Sequence, residues 1–319
     1  MKTIGVLTSG GDAPGMNAAI RAVVRYGIYN NINVLGIKKG YRGLVDNDIE
    51  KMDLSSVADI IHRGGTTLGT ARCEKFMTKE GFEEALETIR YRDIDGLVVI
   101  GGDGSFKGAK ELSEAGVKTV GIPGTIDNDL AYTDYTIGFS TALETILDAI
   151  SKIRDTSSSH ERTIIMEVMG RNCGDLALYS GLAGGAEMVL IPEAEINIQE
   201  VAEKINQGMA RGKKHSIIML AEGAGDAYSI RDQINEYIDV PIRCTVLGYI
   251  QRGGTPVSYD RLLGSRMGAN AVKCLMEGNN NVLLGTKNAK IFDMGIEEAL
   301  NMEKKFDEEA FLLTKILSI

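Results

Sequence analysis

Six short apolar runs, each leading into glycine, punctuate the chain: IGVLTSGG at 4–11, GLVVIGGDG at 96–104, TVGIPGT at 119–125, TIIMEVMG at 163–170, SIIMLAEG at 216–223 and TVLGYIQRGG at 245–254. Apolar runs of this length without polar alternation are the pattern of strands covered on both faces, as in parallel sheets. Helical stretches separate them. From Gly15 to Tyr29, apolar positions fall at Ala19, Ile20, Val23, Val24 and Ile28. Asp12 and Pro14 stand at the start, where a cap and a first-turn proline belong. From Ser140 to Arg154, a stripe holds Ala142, Ile146, Ala149, Ile150 and Ile153, and Thr141 with Glu144 has capping-box spacing. A further helix is expected over 106–115. Strands alternating with helices predict a doubly wound α/β architecture. At 319 residues the chain exceeds what one core usually serves, so two domains are expected.

In such sheets, ligands bind at the carboxyl ends of the strands. The glycine-rich loops are those ends, and Asp12, Asp103, Asp127, Asp129, Arg171, Glu222 and Arg252 concentrate in them. GGDGS at 101–105 follows the strand LVVI. Its glycines let backbone approach a phosphate, and the next helix offers free N–H groups at its start. Asp103 is placed to hold Mg²⁺ directly or through water. SGGDAPG at 9–15 and RGGTTLGTARC at 63–73 are further phosphate loops, the second ending near Arg72, whose fork matches two oxygens. A plain strand-to-helix turn is the alternative reading of GGDGS.

Several classes are excluded by what the chain lacks. There is no GxxxxGK[ST], no HExxH, and the nearest approach to GxGxxG is off-pattern; the three histidines, His62, His160 and His215, are scattered. The net charge of −9 argues against nucleic acid as a partner. The four cysteines (Cys73, Cys173, Cys244 and Cys274) form no CxxC pair and read as reduced thiols. The start MKTIGVLTSGGD has too short an apolar run for a signal peptide, and no run approaches a membrane span, so a soluble cytoplasmic protein with no membrane contact is expected.

PGTIDND at 123–129 gathers more acid and hydrogen-bonding capacity than a turn needs. Phosphoryl transfer needs a group to take the proton of the acceptor hydroxyl, and donors to hold the substrate. Asp127 is the candidate base, Thr125 a donor to substrate or phosphate, and Asp129 a second carboxylate near Mg²⁺. An Asx turn with solvated acids is the bland alternative.

GGDGS, PGTIDND, MGRNCGD (169–175), AEG (221–223) and QRGG (251–254), in this order and spacing, with LTSGGDAPGMNAAIR (7–21) and SHERT (159–163), resemble the bacterial ATP-dependent 6-phosphofructokinase family from the first residues to LSI at the end. The resemblance implies two Rossmann-like three-layer domains with mainly parallel sheets. Residues 1–138 plus 251–302 would bind ATP, residues 139–250 plus 303–319 would bind fructose 6-phosphate, and the cleft between them would close around the reaction. It implies phosphoryl transfer from MgATP to the 1-hydroxyl of fructose 6-phosphate. It assigns Asp127 as base, Asp103 as Mg²⁺ ligand, and Gly11, Tyr41, Arg72, Cys73, Gly102, Asp103, Gly104 and Ser105 to the ATP site. Arg72, Thr125 and Arg171 join the catalytic set. Thr125, Ile126, Met169, Gly170, Arg171, Glu222 and position 249 fall to the sugar phosphate. Arg162, Arg243 and Arg252 would hold the substrate phosphate or the transferring group, with Arg162 and Arg243 reaching in from a neighbouring subunit of a homotetramer.

Arg21 and Arg25 share a helix face at i and i+4, and RGKKH at 211–215 is a second basic cluster. A solvated basic face is the plain reading. The resemblance makes them, with Arg154, Gly185, Glu187, Arg211, Lys213, Lys214 and His215, an allosteric pocket for ADP or phosphoenolpyruvate.

Tyr249 stands where the family usually has histidine. It donates a hydrogen bond but brings no positive charge, so weaker or less pH-dependent sugar-phosphate binding is expected. Gly69 replaces a bulkier residue and is expected to loosen the segment 64–73. Pyrophosphate-dependent relatives typically carry Asp at 104 and Lys at 124, crowding the α-phosphate; Gly104 and Gly124 favour ATP. A lipid or NAD kinase shares GGDG but gives no reason for PGTIDND with MGR. A non-catalytic sugar-phosphate sensor would need neither Asp103 nor Asp127.

Overall fold

The computed structural model describes residues 1–160 and 162–318. Glu161 of SHERT and Ile319 of the closing LSI lie outside the described residues. The chain forms two compact units. The first comprises Met1–Ile126, Leu130–Thr141 and Arg252–Lys304; the second comprises Asp127–Asp129, Ala142–Gln251 and Lys305–Ile319.

In chain order, the first unit opens with β1 (Thr3–Thr8), α1 (Met16–Tyr29), β2 (Asn33–Ile37), α2 (Tyr41–Val45), β3 (Ile49–Met52), α3 (Lys79–Tyr91), β4 (Gly96–Gly101), α4 (Asp103–Glu114), β5 (Thr119–Thr125) and the short β6 (Ile137–Gly138). α5 (Phe139–His160) begins in it and passes into the second unit after Thr141. The second unit then adds β7 (Thr163–Val168), α6 (Asp175–Gly184), β8 (Met188–Leu190), α7 (Ile198–Ala210), β9 (Ser216–Ala221), α8 (Ala227–Asn235) and β10 (Ile242–Val246). α9 (Ser258–Glu277), β11 (Val282–Lys287), β12 (Lys290–Gly295) and α10 (Ile296–Leu300) return to the first unit, and α11 (Glu308–Leu317) closes the second.

The first unit's sheet runs β12-β11-β5-β4-β1-β2-β3, with β6 beside the end of β5. Its inner pairs are parallel; β3 and β12 are antiparallel edges. The register pairs Thr8 with Ile100 and Gly101 with Pro123, so the carboxyl ends of β1, β4 and β5 are level and their loops emerge together. Leu97, Val98, Val99 and Ile100 are fully buried, as a strand covered on both faces requires. The second unit's sheet, β10-β7-β9-β8, is wholly parallel. Its core gathers Ile165, Ile218 and Leu220 against Val201 and Ile205 of α7 and Ile230 and Ile234 of α8.

Local expectations fail in four places, each for a reason. α1 is capped by Gly15 at φ 106 with no side-chain cap, leaving Pro14 outside the helix and Asp12 free for another partner. α5 starts at Phe139, so Thr141 lies inside its first turn; its N–H and hydroxyl both donate to Asp260 of α9 in place of a capping box. α4 begins at Asp103, three residues before the expected start, which puts Asp103 in the helix's first turn. The strand expected from Thr245 is β10, earlier at Ile242–Val246, while Gly248–Arg252 forms a 3-10 turn. β10 pairs only with β7, and the exposed Arg243 within it breaks the apolar run by which buried strands are recognised.

Candidate functional site

In the first unit, the turn from β4 into α4 presents the start of a helix at the carboxyl edge of the sheet. Gly102 caps α4 without a side-chain bond, so the helix's leading N–H groups keep their capacity for an anion. Gly101 is there because nothing larger fits: a Cβ would lie 2.5 Å from both the Ser9 carbonyl and the Ser105 hydroxyl. At Gly104 a Cβ would meet nothing within 4 Å, so the turn faces open space on that side. A Cβ at Gly124 instead points at Ile100 and Met16, 3.0 and 3.1 Å away. Gly124 therefore serves packing within β5, and the open space is at Gly104. Thr125 lies across from Gly102, and its carbonyl accepts from the Thr136 hydroxyl at 2.6 Å.

Tyr41 holds this turn from below. It is 7% exposed, stacks on Phe76 at 4.3 Å, and donates its hydroxyl to the Ser105 carbonyl at 2.5 Å. Burial, with Glu111 second, pushes its hydroxyl far above the usual range, so the phenol stays a donor. Asp103 is solvent-facing and ion-paired with Lys107 one turn on, at 2.7 Å. No group of three or more His, Cys, Asp or Glu able to hold a metal occurs among the described residues. A partly exposed carboxylate at a glycine turn fits Mg²⁺, which keeps its waters and arrives on phosphates, and does not fit a protein-built cage. Asp129, half-buried, falls in the other unit.

The segment 63–73 is tied down. Asn17 donates to the carbonyls of Arg63 and Gly64 and accepts from the Thr67 N–H at 2.8 Å. Thr70 donates to the Gly10 carbonyl, and Thr8 donates to that of Gly69. Gly69 sits at φ +69, a left-handed position that a bulkier residue adopts only with strain. Here the glycine fits the segment and does not loosen it. Arg72 stands exposed at its end beside the half-buried Cys73. Arg252 pairs with Asp12 at 2.5 Å and lies over Gly11, an association across 240 residues of chain.

The second unit holds the candidate base. Asp127 is 5% exposed, and Arg171 Nε lies 3.3 Å from its Oδ2 while the rest of Arg171 remains largely in solvent. Arg171 follows Gly170; the pair has φ of 52° and 133°. The turn is fixed by Glu222, whose carboxylate accepts the Arg171 N–H at 2.8 Å, and by Gln251, fully buried, which accepts the Met169 N–H at 3.2 Å. Asn128 follows Asp127 at φ 52 and donates its side-chain amide to Asp175, at 2.8 Å. Gln251, Asn128 and Asp175 were not singled out in the sequence; the residue following Asp127 and the last of MGRNCGD were the available signals. Ile126 is buried in the first unit. Arg162 is half-buried, Arg243 and Tyr249 are exposed, and Tyr249 stands 79% open.

The anticipated effector residues separate by unit. Arg154 donates to the carbonyls of Gly184 and Gly185, the latter a left-handed helix end at φ 64. Glu187 is buried beside Lys213 at 2.9 Å and also accepts from the Ile217 N–H. Arg211 and Lys214 are exposed near the half-buried His215. Arg21 and Arg25 lie on α1 of the first unit. Burial pushes the Lys204 ammonium down; the nearby Lys213, Lys315 and Arg211 add to the shift, and Glu187 opposes it.

Residues 3–275 match the family model described as Phosphofructokinase. An ATP-dependent 6-phosphofructokinase of Alkaliphilus metalliredigens is 64% identical over 319 residues, and one of Clostridioides difficile is 59% identical, each covered over 100% of both chains. Among solved structures, a phosphofructokinase of Saccharomyces cerevisiae superposes with a TM-score of 0.88 at 37% identity, covering 94% of this chain and 45% of that one. A parallel α/β pair of units, a glycine turn opening α4, a buried aspartate held by an arginine, and likeness over the whole length converge: this chain is a member of the phosphofructokinase family.

Proposed function

We propose that the protein transfers the terminal phosphoryl group of MgATP to the 1-hydroxyl of fructose 6-phosphate, giving fructose 1,6-bisphosphate in glycolysis. The observation that carries this reading is Asp127, a buried carboxylate against Arg171, two residues beyond Thr125 at the end of β5. Asp127 takes the proton of the acceptor hydroxyl. Arg171 aims the carboxylate, and Arg171 and Arg72 offset charge that develops on the transferring group. The first unit is the ATP-binding domain: Gly11, Arg72, Cys73 and Gly102–Ser105 receive the nucleotide, Asp103 holds Mg²⁺, and Tyr41, expected at the nucleotide from the sequence, is buried and braces the turn from within the core. Mg²⁺ supplies charge neutralisation on the phosphates. The second unit is the sugar-phosphate domain, where Met169, Gly170, Arg171, Glu222 and Tyr249 orient the acceptor. Arg252, in the first unit, holds phosphate.

The open face at Gly104 favours ATP over pyrophosphate. The enzyme works as a cytoplasmic homotetramer in which Arg162 and Arg243 complete a neighbour's site. Among the described residues, no helix is long and apolar enough to cross a membrane. Arg211, Lys213 and Lys315 gathered about Lys204 support an effector site for ADP or phosphoenolpyruvate. A direct assay decides the donor: fructose 1,6-bisphosphate formed with ATP and not with pyrophosphate supports the reading. Formation with pyrophosphate overturns the use of Gly104, and no product with either sends the assignment back to a sugar-phosphate sensor.

A further inference from the structure

We infer that Asp175 is a positioning residue for the phosphoryl-transfer base, acting through Asn128. The inference rests on the reading of Asp127 as that base. The tripeptide Asp127–Asp129 is the one stretch of its loop that belongs to the second unit, although Ile126 before it and Leu130 after it belong to the first. The 170–175 segment supplies three contacts to the tripeptide. Arg171 meets the Asp127 carboxylate at 3.3 Å, the Cys173 thiol lies 3.9 Å from the Asn128 carbonyl, and Asp175 accepts the Asn128 side-chain amide at 2.8 Å.

The third contact is the shortest of these and the best buried: a side-chain hydrogen bond between residues 3% and 4% exposed. Asn128 is left-handed at φ 52, a conformation Asn tolerates better than most residues. That single backbone setting fixes the directions of the carboxylates on either side of it, Asp127 and Asp129. Asp175 is itself fixed, as the first residue of α6, and the preceding Gly174 N–H donates to Glu193 at 2.8 Å. A rigid helix start thus holds the amide that sets the turn that aims the base. Its bond to the Asn128 amide is the link by which Asp175 reaches the Asp127 turn.

The test compares Asp175→Ala, Asp175→Asn, Asn128→Gly and the double variant Asp175→Ala/Asn128→Gly, with Asp127→Ser in parallel. kcat, KM for each substrate and the melting temperature are read for all. Glycine accepts φ 52 without strain, so Asn128→Gly removes the amide while keeping the backbone accessible. Asp175→Ala and Asn128→Gly are each expected to lower kcat about tenfold to hundredfold with KM for ATP unchanged. The double variant loses no more than either single one, and Asp175→Asn, which keeps an acceptor oxygen, recovers most of the rate. Losses that multiply in the double variant, or kcat unchanged in folded Asp175→Ala, overturn the inference. Should Asp175→Ala not fold, Asn128→Gly decides alone: unchanged kcat overturns it. Asp127→Ser retaining kcat overturns the base reading and this inference together. Asp127→Ser losing kcat while Asp175→Ala keeps it overturns this inference only.

Discussion

The turn after β4 and the loop after β7 both follow a buried parallel strand, yet they are ordered by different means. Gly101, Gly102 and Gly104 carry no side chains, and the anion capacity of that turn is the backbone of α4. The loop from Met169 to Asp175 is built from side chains: Glu222 and Gln251 grip its N–H groups, and it in turn grips Asp127 and Asn128. A nucleotide's phosphates are the same in every encounter and suit fixed backbone donors. A proton must be taken from one hydroxyl, and that calls for a charged group whose direction is enforced by neighbours.

Substitutions at glycine break this comparison most sharply. Gly170→Val puts a branched side chain at φ 133 with its Cβ 2.4 Å from the Cys173 carbonyl. We expect a loss of roughly 3 kcal/mol or more in denaturant stability, with activity lost alongside. Gly101→Ala forces the Ser9–Ser105 contact apart and is expected to cost about 1–3 kcal/mol by thermal melts, with a raised KM for ATP. Gly104→Ala, facing open space within α4, leaves melting unchanged or improved by about 0.5–1 kcal/mol while weakening nucleotide binding. Equal destabilisation at 101 and 104 would deny that the turn is open on one side only.

Legibility followed the same division. Glycine runs marked β1, β4, β5 and the α4 turn because they are local and chemically unusual. The pairing of Arg252 with Asp12 across 240 residues, and of Asp260 with Gly138 and Thr141, left no local trace. Thr141 and Glu144 had capping-box spacing, but a buried carboxylate from α9 claimed the threonine. Asp127 stood out as a candidate base because acids gathered beside Pro-Gly; the bond of the neighbouring Asn128 to Asp175 did not, since left-handed backbone at Asn is invisible in composition.

Smaller effects sharpen the picture. Tyr249→His places an ionisable ring at an exposed position of the second unit. KM for fructose 6-phosphate is expected to fall a few-fold below about pH 6.5 and to converge with the parent above it; a pH-independent KM would remove this position from phosphate recognition. Asp260 gives the smallest effect. Burial raises its carboxyl, opposed by its bonds to Thr141 and Gly138. A carboxyl raised in the folded state contributes stability that is fully present below the unfolded value near 3.8 and is lost as pH rises through the folded one. Relative to Asp260→Asn, the parent should therefore lose melting temperature as pH rises above the unfolded value near 3.8, and parallel curves would contradict the shift.

The most direct test is the pH–rate profile of Asp127→Ser with saturating MgATP and fructose 6-phosphate, alongside equilibrium binding of the sugar phosphate. Removal of a general base predicts a fall in kcat of about 10²–10⁴, loss of the acidic limb of the profile, and sugar-phosphate binding held within a few-fold. A kcat within tenfold of the parent with the acidic limb intact would contradict the assignment of Asp127.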